Sequence, residues 1–452
     1  MNMVMKNKSI DFLLERFLEN DANEAIVYNE LPYSYAWLYE RITYFNKYLV
    51  ENMIPPGSVV AIKGDFTPNS IALFFGLVVN NCIIVPLTIE KKNEEKLLNI
   101  SGAQFLFSID INDEFNRTDL ASVPANDFYK QINGACNPGL VLFSSGTSGE
   151  PKCAVHDFSR LLKKFQEKKK ALRTLNFLLF DHWGGLNTML HILSNNGTVI
   201  STKDRTPRNV SRLIEKHKIE LLPASPTFLN LLLLSEAYTD FDLSSLRIIS
   251  YGTEPMLPST LERLKIVFPG VKLLQTYGLI ELGVLNSKSE NDESLWVKLG
   301  GGGYQLRVVD GLLEIKAESA MLGYLNAPSP FTSDGWFKTG DAVEVQGEYF
   351  RILGRKSELI NVGGEKVYPA EIENVIHEIA NVAEVTVYGE KSPIMGMIVV
   401  AKIRLSQEEE KKAFIQRVKS FCRARLENYK IPVKIVIDAE VQYSDRLKKK
   451  RV

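Results

Sequence analysis

From about Gly57 to Leu274 the chain alternates short apolar runs with helical stretches, and this alternation restricts its fold more than any other feature. Val59–Ile62, Ile83–Leu87 and Leu140–Phe143 read as strands. Ser70–Val79 reads as an apolar helix, and a second helix is expected near Phe158–Lys170. Leu175–Phe180, Thr198–Ile200, Glu220–Leu222, Arg247–Ser250 and Val271–Leu274 continue the series. Strands that are apolar throughout are buried on both faces, and strand–helix–strand spacing joins parallel neighbours by crossovers. The expected class is α/β: a large N-terminal domain with mostly parallel sheets and flanking helices.

After about Gly300 the pattern changes to a β-rich segment with short strands at Leu306–Val309, Leu312–Ile315 and Ala342–Val345. No helix start follows the Gly300–Gly303 run, so it reads as a loop rather than a phosphate cradle. From Arg355 onward a small α+β unit is expected. Its helix Pro369–Ile379 opens on a proline, and Val382–Val387 and Met397–Ile403 are its strands. Ser406 with Glu409 reads as a capping box. The helix behind it carries Phe414, Val418, Phe421 and Leu426 on one face. With 452 residues the chain exceeds the roughly 250–300 that one core serves. Together with the change in pattern near Gly354–Glu358, this divides it into a large domain, 1–354, and a small one, 355–452.

Composition narrows the function classes. Lys plus Arg (54) balances Asp plus Glu (54), which argues against bulk attraction to nucleic acid or anionic lipid. The four cysteines show no C-x-x-C spacing, so neither zinc nor a disulfide framework is indicated. Charges interrupt Met1–Glu15, and no apolar run reaches the roughly 20 residues that span a bilayer. A cytoplasmic protein without stable membrane insertion is expected.

The chemistry concentrates in a few motifs. Ser144, Ser145, Gly146, Thr147, Ser148, Gly149, Glu150, Pro151 and Lys152 directly follow the strand Leu140–Phe143. This is not a Walker A loop, but its physics is related. Glycines admit backbone N–H groups to phosphate oxygens, hydroxyls add donors, and Lys152 adds positive charge. The segment resembles the phosphate loop of the adenylate-forming (ANL) superfamily of AMP-binding enzymes, which includes acyl-CoA synthetases, peptide-synthetase adenylation domains and luciferases.

Further matches follow in the family's order, from about Tyr33 onward. Gln275-Thr276-Tyr277-Gly278-Leu279-Ile280-Glu281 resembles the adenine and magnesium segment. The resemblance implies that Tyr277 stacks on adenine beside Gly278, and that Glu281 and Thr147 hold Mg²⁺, whose hardness suits oxygen ligands. Ile280 stands where the family usually has threonine, and it cannot hydrogen-bond phosphate. Gly335–Asp341 resembles the ribose motif, with Asp341 accepting from the two hydroxyls. Gly354–Glu373 resembles the junction of the two domains, which implies that the small one is mobile: Arg355 on the ribose, Ser357 at the hinge, Gly363 and Gly364 in the loop that turns toward the thiol. Phe180–Gly185 resembles the acyl-pocket segment and places His182 near the reacting carboxylate, with a purely structural histidine as the alternative. In the tail, Lys448 and Arg451 fit the spacing of the family's final lysine and arginine. Lys449 is the competing choice, and a solvated charge run is the bland one.

These resemblances imply ATP, Mg²⁺ and coenzyme A or a phosphopantetheine arm as cofactors. They imply an AMP-forming acid–thiol ligase acting on a small-molecule carboxylic acid, fatty or aryl. Lys448, Lys152, Glu281 and His182 would carry the chemistry. Loading an acyl carrier protein is the alternative acceptor, and a degenerate nucleotide-binding module is the third reading.

Overall fold

The computed structural model describes residues 9–89, 93–122, 126–145, 150–291, 294–392, 396–440, 443 and 449. Gly146, Thr147, Ser148, Gly149 and Lys448 lie outside the described residues, as does the side chain of Ser145.

Two seven-stranded sheets form most of the large N-terminal part. In the first, Lys272–Gln275, Ile248–Tyr251, Leu221–Ala224, Arg173–Leu175, Thr198–Ser201 and Glu24–Tyr28 run parallel in that spatial order, with Leu31–Ser34 antiparallel at the edge. In the second, Gly139–Ser145, Ile83–Thr88, Val59–Gly64 and Phe105–Ile109 are parallel neighbours. Antiparallel strands close both of its edges. One apolar core runs between the sheets and takes in helices Tyr35–Glu51, Pro68–Val79 and Trp183–Ser194. Pro68–Val79 is buried along its whole length, which is why its sequence is apolar all round rather than striped. It starts where Thr67 accepts from the Ser70 N–H, with proline in the first turn.

A six-stranded antiparallel sheet follows, in the order Ser287–Ser289, Val297–Leu299, Tyr349–Arg355, Phe337–Gln346, Leu312–Ala317 and Tyr304–Val309. Beyond a single 3₁₀ turn at Lys356–Glu358 lies a five-stranded sheet with helices Pro369–His377 and Lys411–Arg423. These build a separate core around Val367, Ile372, Val387 and Phe414. No helix among the described residues is long and apolar enough to cross a membrane.

Local expectations are corrected in four places. The phosphate-loop segment joins two antiparallel strands, Gly139–Ser145 and Pro151–Asp157, and the second strand was not anticipated. The helix expected near Phe158–Lys170 stops at Leu162 and continues only as a 3₁₀ turn to Phe165, because 166–171 is an exposed, charge-rich stretch. The strand expected at Leu175–Phe180 ends at Leu175, where the Phe177 N–H turns back to the Leu175 carbonyl. The capping residue of the last helix is Glu410, which accepts from the N–H groups of Lys412 and Ala413. Glu409 is drawn instead to Arg417, at 2.7 Å, and Asn381.

Candidate active site

A cleft of about 770 Å³ opens where the two large sheets, the antiparallel sheet and the small unit meet. The ends of strands and the turns beyond them supply its walls, as is usual for parallel sheets. Ser144 and Lys152 come from the antiparallel strands Gly139–Ser145 and Pro151–Asp157, whose register sets them opposite each other. The Lys152 Nζ lies 5.5 Å from the centroid of the Tyr324 ring.

Glu281 enters from the turn after Gly278–Leu279 and is almost fully buried at 9% exposure. Its Oε1 accepts from the Tyr324 hydroxyl at 2.6 Å. Burial, reinforced by the Glu281 charge, raises the Tyr324 phenol, so it stays a donor. The second carboxylate oxygen has no protein partner among the described residues. A single buried carboxylate with an open oxygen suits a Mg²⁺ ion whose other ligands are phosphate oxygens and water. No group of three metal-ligating side chains exists among the described residues, so an all-protein metal cage is not formed there.

Asp341 and Arg355 face each other as cross-strand partners in the antiparallel sheet, and the Arg355 Nε lies 3.3 Å from Asp341 Oδ1. The other oxygen, Oδ2, accepts from the Tyr277 hydroxyl at 2.5 Å. Burial raises the Asp341 carboxyl above the usual carboxylate range, with the Arg355 charge and the Tyr277 bond offsetting part of the effect. Arg355 lines the cleft, whereas Tyr277 and Asp341 are buried, at 8% and 5% exposure. Tyr277 therefore packs in the core, and Gly278 alone of that pair reaches the lining.

His182 lines the cleft and caps helix Trp183–Ser194, its Nδ1 accepting from the Gly184 N–H at 3.0 Å. That bond places the neutral ring's proton on Nε2. Gly185 behind it admits no side chain: a Cβ would lie 2.4 Å from the Leu179 carbonyl oxygen.

Ser357 also lines the cleft. Gly363 and Gly364 do not. They form the hairpin turn between Ile360–Val362 and Glu365–Val367 and border a separate groove with Lys391 and Met397. Lys449 reaches the cleft, its backbone N–H donating to Glu254 Oε2 at 3.2 Å and its Nζ to Glu373 Oε2 at 2.8 Å.

Sequence reasoning missed Tyr324 and the turn Gly252–Thr253. The turn forms cleft wall at the end of strand Ile248–Tyr251. Thr253 takes a left-handed φ of 75°, uncommon for a β-branched residue. A Cβ on Gly252 would stand 2.5 and 2.6 Å from Thr276 oxygens. Gly-Thr-Glu-Pro between a strand and a helix was the available signal. Tyr324 had none, because it belongs to a two-residue edge strand.

The sequence profile of the AMP-binding enzymes matches residues 14–317, and that of the AMP-binding enzyme C-terminal domain matches residues 371–443. The chain belongs to the AMP-binding enzyme family. Among this family's members, an indoleacetate–CoA ligase of Aromatoleum aromaticum is 31% identical over 330 residues, covering 67% of this chain and 64% of that protein. The long-chain-fatty-acid–CoA ligase FadD13 of Mycobacterium tuberculosis is 28% identical over 322 residues, with 66% and 63% covered. The chain thus spans less than two thirds of the length of these relatives. In fold it is similar to the anthranilate CoA ligase AuaEII in complex with anthranoyl-AMP, with a TM-score of 0.82, 18% identity, and 98% and 95% of the two chains covered. It is likewise similar to ATP-bound MatB of Rhodopseudomonas palustris, with a TM-score of 0.81, 21% identity, and 96% of each chain covered. These likenesses establish the ANL fold expected from the motifs.

Proposed function

We propose that this AMP-binding enzyme activates a fatty or aryl carboxylic acid to acyl-AMP, releasing pyrophosphate, and then transfers the acyl group to the thiol of coenzyme A. The observation that carries the reading is the single cleft that gathers Lys152, His182, Glu281 and Arg355 beside Ser357. The relatives' names, CoA ligases of aromatic and fatty acids, support the same class.

A carboxylate is a poor electrophile because its oxygen is a bad leaving group. When a carboxylate oxygen attacks the α-phosphorus of ATP, a carboxyl–phosphorus bond forms, the bond to pyrophosphate breaks, and that oxygen becomes part of AMP, a good leaving group. The nucleophile is already ionised, so no general base is needed. The protein's task is positioning and charge neutralisation. Lys152 and the Ser144–Gly149 loop are assigned to the phosphates, and Arg355 with the buried Asp341 behind it to the ribose side. His182 is assigned to the carboxylate end. Glu281 would hold Mg²⁺, which supplies charge neutralisation on the phosphates when bound.

Two domains, 1–354 and 355–452, are proposed to turn about Ser357 between the half-reactions. In this reading Lys448 serves adenylation, and the Gly363–Gly364 loop, which faces its own groove here, serves the thiol step. The expected setting is the cytoplasm, where ATP and coenzyme A are available. A carrier-protein phosphopantetheine is the alternative acceptor.

The test is pyrophosphate release from ATP across a panel of acids, with and without coenzyme A. Acid-dependent release with thioester formation supports the proposal. Release without thioester points to the carrier-protein acceptor, and no release with any acid refutes the proposal.

A further inference from the structure

One wall of the cleft is helix Trp183–Ser194, and Asn187 lines the cleft from its second turn. Behind Asn187, the Lys164 Nζ donates to Asn187 Oδ1 at 2.8 Å and to the Val284 carbonyl oxygen at 2.9 Å. An ammonium group only donates, so it fixes which end of the amide it meets. The Asn187 oxygen is turned to the lysine. Its NH₂ group is left for the cleft and has no partner among the described residues.

The charge behind this amide is unbalanced. Burial, with Lys169 adding to it, pulls the Lys164 ammonium down to about 8. His191, one turn beyond Asn187, is pulled down to about 4 by burial, Lys169 and Lys164. No carboxylate among the described residues contributes to either shift. Apolar side chains surround it, with Leu178, Trp183, Leu279, Ile280 and Val284, and the neighbouring Thr188 hydroxyl is turned to the Gly184 carbonyl. A donor held in apolar surroundings, backed by an uncompensated cation, is costly unless a ligand accepts from it.

We infer that Asn187 selects acids whose acyl part carries a carboxylate or carbonyl oxygen, with Lys164 as the residue that positions the amide. The inference rests on the acid-activating reading above and names its substrate class. Spacing sets the distance of that oxygen. His182, assigned to the carboxylate end, caps the helix, and Asn187 lies five residues on, an axial rise of about 7.5 Å at ~1.5 Å per residue. A six-carbon acid with an oxygen acceptor at its far end fits that span. A plain alkyl or aryl acid of equal length would leave the amide unpaired.

The experiment compares kcat/KM for pyrophosphate release with hexanoate, 5-oxohexanoate and adipate. In the wild-type protein the ratio of either oxygen-bearing acid to hexanoate is expected to exceed about tenfold, the cost of one unmade buried hydrogen bond. Asn187→Leu should bring that ratio to near one. Lys164→Met, which leaves Asn187 in place but frees its amide, should lower the ratio as well, an effect that general loosening of the fold would not produce. A preference for adipate alone, lost in both variants, supports the inference with a distal carboxylate as the ligand. Hexanoate turned over as well as the other two, or a ratio untouched by Asn187→Leu, overturns this inference and leaves the acid-activating reading standing. No release with any acid overturns both.

Discussion

The Tyr277 hydroxyl donates to Asp341 Oδ2 at 2.5 Å across 64 positions of sequence, while Arg355 holds the other carboxylate oxygen. Two motif residues that read separately as adenine and ribose contacts thus form one buried unit behind the cleft. A hydrogen bond to a charged group contributes about 1.5–3 kcal/mol. Tyr277→Phe should therefore lower unfolding free energy by about 1–3 kcal/mol. Asp341→Ala should cost more, since it also strands Arg355. The double variant should fall short of the sum by about 1 kcal/mol or more in denaturant titrations. Strict additivity would contradict the coupling.

Glu281 and Tyr324 yield a prediction about metal dependence. Glu281→Gln should lower pyrophosphate release by about 100-fold or more, the scale of a lost electrostatic contact at a reacting centre. It should also raise the Mg²⁺ concentration needed for half-maximal rate. Tyr324→Phe removes only the bond that orients the carboxylate and should cost about tenfold. An unchanged Mg²⁺ requirement in both variants would remove Glu281 from the metal's ligands.

Lys449 is expected to be structural. Its Nζ pairs with Glu373, which is 1% exposed and also accepts from the Val387 N–H through its other oxygen. Breaking a buried pair leaves one charge uncompensated, at about 3–5 kcal/mol. Lys449→Ala should destabilise the small unit in thermal melts. Lys448→Ala should cripple adenylation and spare thioester formation from synthetic acyl-AMP. Equal loss of both half-reactions in Lys448→Ala would refute its assignment.

The pH dependence of stability follows from buried histidines. Burial brings His156 down to about 4, with the Ile280 and Ser319 backbones pulling the other way. Burial likewise brings His191 and His377 to about 4. Between pH 6.5 and 4 the unfolded chain binds more protons at these sites than the folded one. The stability they provide is complete above about pH 6.5 and lost as pH falls toward 4. His156, 1% exposed, accounts for roughly 3 kcal/mol of that loss. Asp341, shifted upward, acts in the opposite sense on a smaller scale. His156→Leu should flatten the acid limb of a stability–pH profile, and an unchanged limb would contradict the assignment.

The fold was legible where burial dictates composition. Val59–Ile62, Ile83–Leu87 and the helix Pro68–Val79 are buried residue by residue, so their uninterrupted apolar runs pointed to sheet centre and buried helix. The strand Pro151–Asp157 was not legible, because it carries Lys152, His156 and Asp157 and reads as polar loop. Site residues in contiguous motifs were legible as types, but not their layering. Nothing local in Tyr277 or Asp341 says that they bond to each other rather than line the cleft. Asn187 was invisible as well, since its role depends on Lys164, which stands 23 positions away on another element.

The central claim is that this cleft joins a carboxylate to AMP, and acid-dependent exchange of labelled pyrophosphate into ATP without any thiol tests it most directly. Exchange that requires a carboxylic acid, and collapses in Lys152→Ala, is the predicted result. Nucleotide binding with no exchange for any acid would contradict the account.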